Sequence, residues 1–229
     1  MTAELLQEIE NQSAEAVIDR ALRENAGEAC ITCSFQAEDM VVLDLLRKKI
    51  PDVPVLFLDT GYHFAETYAY RDRMAREWKL NVVNLRAASS VPEQERQFGE
   101  LYRTDPTACC RLRKVAPLMS GLEKFEIWFT GLRREQSPTR ANLQKMENHI
   151  LPSGKKLLKI NPVADWKWDR VLDYVERNKI ERLPLYYLGY TSIGCEPCTS
   201  LPSNSTDPRS GRWQGKKLEC GIHTFTEQR

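Results

Sequence analysis

The stretch ACITCSFQAEDMVVLDLLRKKIPDVPVLFLD, residues 29 to 59, decides the fold. Two short apolar runs, 29–35 and 53–59, flank a segment whose apolar side chains recur at helical spacing. Near-continuous apolar strands on either side of a helix are typical of a βαβ unit in a buried parallel sheet. The pattern returns with further predicted strands at 80–85 and 125–131. We therefore predict a single doubly wound α/β domain with a mainly parallel sheet, whose ligand site lies at the carboxyl ends of its strands.

Composition limits what this domain can bind. The 229 residues include 33 basic and 32 acidic side chains, for a net charge of +1. A chain so balanced has no general attraction for nucleic acid or for an anionic membrane, so any anion site must be local. The start of the chain is acidic and amphipathic, and no stretch approaches the roughly 20 apolar residues of a membrane span. We expect a cytoplasmic protein, in which cysteines are more often metal ligands or catalysts than disulfide partners.

Two of the seven cysteines are expected in the core. Cys30 and Cys33 lie in the first predicted strand, where residues three apart point to opposite faces of a sheet. They cannot readily share a metal there. We predict that both are small buried core residues.

Four other cysteines predict a metal centre. Cys195 and Cys198 form a C-x-x-C in a Gly/Pro turn, and the adjacent pair Cys109 and Cys110 could supply two more ligands. Adjacent cysteines suit zinc poorly, because structural zinc sites usually space their ligands by two to four residues. They can instead reach two different irons of an iron–sulfur cluster. A cluster is favoured over zinc, and a strained disulfide between the neighbours is the least favoured.

Cys220 remains without a partner. It lies beside Gly221 on a polar segment, where its thiol can act as a nucleophile that meets a substrate and then a second protein. A free surface thiol is the alternative interpretation. His223 could serve as its base, but packing or partner contact is the favoured role for that histidine.

Candidate anion-binding residues follow the predicted strands. SFQAEDM, residues 34–40, opens a helix, where backbone N–H groups and the helix dipole can receive an anion. LDTGYHF, residues 58–64, is a tight turn in which Thr60 can meet a nucleoside. Several arginines lie at the ends of predicted strands or beside the predicted metal ligands, which favours a single cationic pocket over scattered surface charges. These arginines are Arg133, Arg134, Arg140, Arg209 and Arg212.

From about residue 33 to residue 224, these motifs resemble those of the thioredoxin-dependent adenylyl-sulfate and phosphoadenylyl-sulfate reductases, in the branch that bears an iron–sulfur cluster. The likeness is carried by SFQAEDMVV, LDTGYHFAETY, CCRLRK, TGLRREQS, YTSIGCEPCT, RSGRW and, most diagnostically, ECGIH. It implies an adenine nucleotide alpha hydrolase-like fold. Where the wider relatives carry Ser-Gly-Gly-Lys-Asp-Ser, this chain has Gln36 and Ala37, which argues against ATP adenylation.

The resemblance also implies roles for individual residues. A 4Fe-4S cluster would be bound by Cys109, Cys110, Cys195 and Cys198. Cys220 would be the nucleophile, and Lys114 would lie between cluster and substrate. Phosphate or sulfate would contact Arg133, Arg209 and Arg212. The nucleotide would be bordered by Ser34, Glu38, Asp39 and Thr60.

The reaction implied by the resemblance reduces adenosine 5′-phosphosulfate to sulfite and AMP. Cys220 would attack the sulfur to give a thiosulfonate, which thioredoxin or glutaredoxin would release as sulfite. Whether the 3′-phosphorylated substrate also reacts stays open, and a homo-oligomer is possible. We expect residues 1–194 to form the nucleotide-binding reductase domain, and residues 195–229 to complete the cluster site and form a mobile tail that carries the nucleophile.

Two other functions are weighed against this one. A nucleotide-activating sulfurtransferase of the tRNA-thiolating kind would need a glycine-rich ATP loop, which is missing, and a basic surface for RNA. A zinc-stapled binding module without catalysis would hold zinc in place of the cluster.

Overall fold

The computed structural model describes residues 3–204, 207–215 and 217–223. The far end of the predicted tail, including Thr224, lies outside the described residues. The elements in chain order are α1 (Ala3–Glu10), α2 (Ala14–Glu24), β1 (Ala29–Thr32), α3 (Ala37–Arg47), β2 (Pro54–Asp59), α4 (Ala65–Glu77), β3 (Asn81–Arg86), α5 (Val91–Phe98), α6 (Leu101–Thr104), α7 (Pro106–Cys110), a π-helical turn (Arg111–Val115), α8 (Ala116–Leu122), β4 (Ile127–Phe129), β5 (Met146–Ile150), β6 (Lys156–Ile160) and α9 (Trp168–Arg177). None of the described helices is both long enough and apolar enough to span a bilayer.

The strands form one six-stranded sheet in the order β3-β2-β1-β4-β6-β5. Neighbouring strands are parallel except β5, which runs antiparallel to β6. The predicted α/β fold with a mainly parallel sheet is therefore confirmed, and the four predicted strands correspond to β1–β4. The strands β5 and β6 were not predicted, because charged residues interrupt their apolar pattern. Lys159 of β6, for example, is buried and pairs with Glu147 of β5 over 2.8 Å.

Helices cover both faces of this sheet. Ile31 and Cys33 lie in the larger core, together with side chains of α2, α3 and α9. Cys30 belongs to the core on the opposite face, where α8 contributes Leu118 and Leu122. The prediction that Cys30 and Cys33 are buried and point to opposite faces is thus confirmed.

The strand order reverses between β1 and β4. In open α/β sheets, ligands bind in the crevice at such a switch point, outside the carboxyl ends of the strands. After β1 the chain turns sharply at the buried Phe35, whose φ is +62°. This turn brings the 34–36 segment to the edge of the crevice and starts α3 there.

The adjacent thiols end one helix and precede a helical irregularity. Asp105 caps α7 by accepting from the backbone N–H groups of Thr107 and Ala108, and the helix ends with Cys109 and Cys110. Arg111–Val115 then form a π-helical turn that leads into α8. Such turns are rare and often occur at functional sites.

Candidate active site

A cavity of about 680 Å³ opens at the carboxyl ends of β1 and β4, large enough for a nucleotide. The structure brings eight of the predicted site residues to its wall, and they are Ser34, Glu38, Asp39, Lys114, Arg133, Arg209, Arg212 and Cys220. These residues come from both ends of the sequence. The cavity is therefore assembled by the strand order together with the docking of the carboxyl-terminal segment.

Thr60 is not on the cavity wall, contrary to the expectation that it borders the nucleotide. Its side chain is fully buried, and its hydroxyl oxygen lies 3.3 Å from the Cys195 sulfur. The same oxygen accepts a hydrogen bond from the Tyr62 N–H over 3.2 Å. Thr60 therefore contacts Cys195, one of the predicted ligands, and does not line the cavity.

Asp39 links the two loops at the switch point. Its carboxylate accepts from the Ser34 N–H over 2.7 Å and from the Ser34 hydroxyl over 2.6 Å. On the other side it meets Gly131, where an added Cβ would lie 2.3 Å from Asp39 Oδ1, so only glycine fits. Burial raises the pKa of Asp39 to about 6, although the hydrogen bonds from Ser34 oppose the shift. Asp39 thus fixes the loops that form this end of the cavity.

Arg133 lines the cavity, and its positive charge is already paired with carboxylates of the protein. It donates to Glu38 over 2.9 Å, to Glu135 over 2.7 Å and to the Trp166 carbonyl oxygen over 3.1 Å. Arg133 and Glu38 are both buried. The expected contact with phosphate or sulfate would have to compete with these two carboxylates.

A group of cationic side chains also lines the cavity. Lys114, Arg209 and Arg212 line it together with Cys220. Among the described residues, no carboxylate pairs with Lys114 or Arg212. Burial lowers the pKa of Lys114, whereas the sulfurs of Cys195, Cys110 and Cys220, when they are thiolates, raise it above its ordinary value. Lys114 therefore stays cationic where these sulfurs are ionised.

The four cysteines predicted as ligands line a second, smaller cavity behind Lys114. Lys114 lines both cavities. Burial, reinforced by the neighbouring thiols, raises the pKa of Cys109 to about 12 and that of Cys198 to about 11. Thiols in such surroundings stay protonated unless a cation binds them.

This donor set fits an iron–sulfur cluster better than a single ion. Within the described ranges, no group of three or more His, Cys, Asp and Glu side chains is arranged to hold one metal ion. A cluster distributes four thiolates over separate irons, so its ligands need not converge on one point. The aromatic side chains of Tyr62, Tyr102 and Trp213 complete the wall of the smaller cavity.

The carboxyl-terminal segment closes over the large cavity. His223 stacks on Trp128 with ring centroids 5.5 Å apart and an interplanar angle of 17°, and burial lowers its pKa well below the ordinary value. The described part of the tail is therefore packed on the domain.

Sequence reasoning missed Glu219, which binds Arg140 and Arg209 from the position before Cys220. The sequence feature that could have identified Glu219 is an acidic residue directly next to a candidate nucleophile.

The fold and the cavity at the switch point define the class of doubly wound, nucleotide-binding α/β proteins. Within it, the phosphoadenosine phosphosulfate reductase domain matches residues 28–201, and the chain belongs to that family. It is 44% identical over 220 residues to an adenosine 5′-phosphosulfate reductase of Mycolicibacterium smegmatis, a match that covers 94% of this chain and 90% of the relative.

Solved structures agree on the fold. A phosphoadenylyl-sulfate reductase from Candida auris, in a phosphate complex, superposes with a TM-score of 0.70 and 25% identity over 86% of this chain and 96% of the other. The U34-tRNA thiolase NcsA from Methanococcus maripaludis, solved with its [4Fe-4S] cluster, gives a TM-score of 0.52 and 15% identity over 79% of this chain and 66% of the other. The second likeness shows a shared fold alone.

Proposed function

We propose that this protein is an adenylyl-sulfate reductase of assimilatory sulfate reduction, which converts adenosine 5′-phosphosulfate to sulfite and AMP. The observation that carries the proposal is the position of Lys114. On one side it lines the smaller cavity with four cysteines, three of them buried, and on the other it lines a nucleotide-sized cavity that Cys220 also lines. The name of the 44% identical relative supports this substrate.

A 4Fe-4S cluster would be held by Cys109, Cys110, Cys195 and Cys198, which fits their all-thiol character and the burial of the first three. When bound, an all-thiolate cluster supplies negative charge next to Lys114 and tunes the field at the substrate. Lys114 and Arg212 would bind the phosphosulfate oxygens and stabilise the charge that develops on the leaving phosphate. Ser34, Asp39 and their loops would border the nucleoside at the switch point.

Cys220 would carry the chemistry. Its thiolate attacks the sulfonyl sulfur, an S–S bond forms, and the bond from that sulfur to the bridging oxygen breaks. The electron pair of the broken bond stays on the oxygen, which becomes a phosphate oxygen of AMP. A dithiol protein of the thioredoxin type then attacks the Cys220 sulfur, so that sulfite leaves with the electrons of the S–S bond. The second thiol of that protein resolves the mixed disulfide and restores Cys220.

A single turnover with sulfur-labelled adenosine 5′-phosphosulfate tests the scheme. We expect label on the wild-type chain without any reductant, and its release as sulfite on addition of reduced thioredoxin. Cys220→Ser should carry no label, whereas Cys30→Ala, which alters a core thiol, should be labelled like the wild type. Label that persists in Cys220→Ser would assign the nucleophile elsewhere.

A further inference from the structure

The carboxylate of Glu219 occupies a site made for an anion. Arg140 donates to it through Nε over 2.9 Å and through Nη2 over 2.8 Å, in the fork geometry of the strongest ion pairs. The Thr139 hydroxyl adds a hydrogen bond of 2.9 Å. The Glu219 and Arg140 side chains are only 13% and 11% exposed.

A second arginine holds the same residue. Arg209 donates to the Leu218 carbonyl oxygen over 3.0 Å and lies 3.5 Å from a Glu219 carboxylate oxygen. Burial alone would raise the pKa of Glu219, but the hydrogen bond from Arg140 and the charges of both arginines hold it below the ordinary value. The carboxylate is therefore ionised at neutral pH.

These contacts flank the candidate nucleophile. On one side of Cys220 is the anchored Glu219, and on the other is Gly221, whose φ of +93° suits glycine. Beyond it, His223 is seated on Trp128. We propose that Glu219 is a positioning residue, a latch that fastens the segment carrying Cys220 to Arg140 and Arg209 and so holds the thiol at the cavity.

The segment that carries Cys220 must also be able to detach from Arg140 and Arg209. On the proposed function, on which the positioning role rests, a protein reductant has to reach Cys220 after sulfur transfer. Arg140 and Arg209 both line the cavity, so the residues that fasten the tail share a wall with the substrate. The side chains of Arg140 and Glu219 both keep some contact with solvent, so water can take over their hydrogen bonds when the segment leaves the domain.

The first test measures access to Cys220. Glu219→Gln keeps the shape of the side chain and removes its charge. In protein without nucleotide, we expect iodoacetamide to alkylate Cys220 roughly three- to tenfold faster in this variant, the effect of losing a partly buried ion pair. Alkylation is read by mass spectrometry of the tryptic peptide that begins at Leu218. Arg140→Gln should accelerate alkylation similarly.

The control is Glu126→Gln, which removes a different glutamate, one paired with Lys155 over 3.2 Å. It should alkylate like the wild type. Alkylation of Glu219→Gln at the wild-type rate would overturn the latch.

The second test measures positioning. The single-turnover rate of label transfer to Cys220 should fall about three- to tenfold in Glu219→Gln, while AMP binds as tightly as before or more tightly. An unchanged transfer rate would overturn the positioning role. If the wild type itself takes up no label, the proposed function fails, and alkylation still decides whether the latch exists.

Discussion

Arg133 donates to the Glu38 carboxylate over 2.9 Å where both side chains are buried, and Glu135 takes a second N–H of the same guanidinium over 2.7 Å. Two carboxylates thus share one arginine in the wall of the cavity. Asp39 adds a third carboxylate to this wall, whereas no carboxylate among the described residues pairs with Lys114 or Arg212.

This asymmetry predicts selection against a 3′-phosphate. With the nucleoside placed beside Ser34 and Asp39, as proposed above, a phosphate added to its ribose would meet these carboxylates, so AMP should bind more tightly than adenosine 3′,5′-bisphosphate. Glu135→Gln frees one N–H of Arg133, and we expect it to narrow the affinity difference about three- to fivefold in isothermal titration calorimetry. Glu126→Gln, which removes a similarly exposed, paired glutamate that does not line the cavity, should leave the difference unchanged. An equal difference in Glu135→Gln and wild type would contradict the prediction.

The fold was predictable to the extent that its strands are buried on both faces. β1 and β2 are central strands with continuous apolar runs, and these runs directly predict a βαβ unit. β5 is an edge strand with the sequence MENHI, and its polar residues are tolerated because one side of an edge strand lacks a neighbour. No apolar period marks such a strand.

That the four predicted ligand cysteines lie together was predictable because their residue type signals metal chemistry, whereas a role for Lys114 came only from the family resemblance. The hydroxyl of Thr60 contacts Cys195, which is 135 residues away, and no local pattern indicates such a contact. Glu219 was missed because its arginine partners are about 80 residues away or lie across a loop, as the 79-residue separation from Arg140 shows. Such pairings depend on tertiary docking and leave no local pattern.

Replacing one cysteine of the smaller cavity should remove the cluster. Cys198→Ser leaves one iron without its thiolate, so we expect iron and acid-labile sulfide per chain to fall to less than about half of the wild-type content. Cys30→Ala changes a thiol in the core and should keep the full content. The comparison is made on anaerobically purified protein by iron and sulfide analysis. Full iron in Cys198→Ser, or stoichiometric zinc in the wild type, would contradict the assignment.

The buried carboxyl group of Asp39 should make the free energy of unfolding depend on pH in a distinctive way. Burial raises its pKa to about 6 in the folded protein, above the unfolded value of about 4. The folded state therefore binds the proton more tightly, and this residue's contribution to the free energy of unfolding falls as pH rises from about 4 to about 6. Asp39→Asn lacks that titration, so the wild type should lose about 1–3 kcal/mol relative to the variant across the window. Urea unfolding at several pH values measures the difference, and a constant difference would show that Asp39 is not perturbed.

We expect Tyr102 to protect the smaller cavity from oxygen. Its ring meets that of Tyr62 edge to face at 5.3 Å, and both line the cavity beside the four cysteines. Each hydroxyl donates to a glutamate, that of Tyr62 to Glu95 over 2.7 Å and that of Tyr102 to Glu100 over 2.6 Å. Tyr102→Ala opens a path for oxygen, and we expect the visible absorbance of a bound cluster to bleach severalfold faster in air.

The control for this prediction is Tyr187→Ala, which removes a tyrosine that is 64% exposed and lines neither cavity. It should bleach like the wild type, and all three proteins should be equally stable without oxygen. If Tyr102→Ala bleached at the wild-type rate in air, oxygen would reach the thiols by another route. If it also lost iron anaerobically, Tyr102 would act by holding the cysteines in place and not by excluding oxygen.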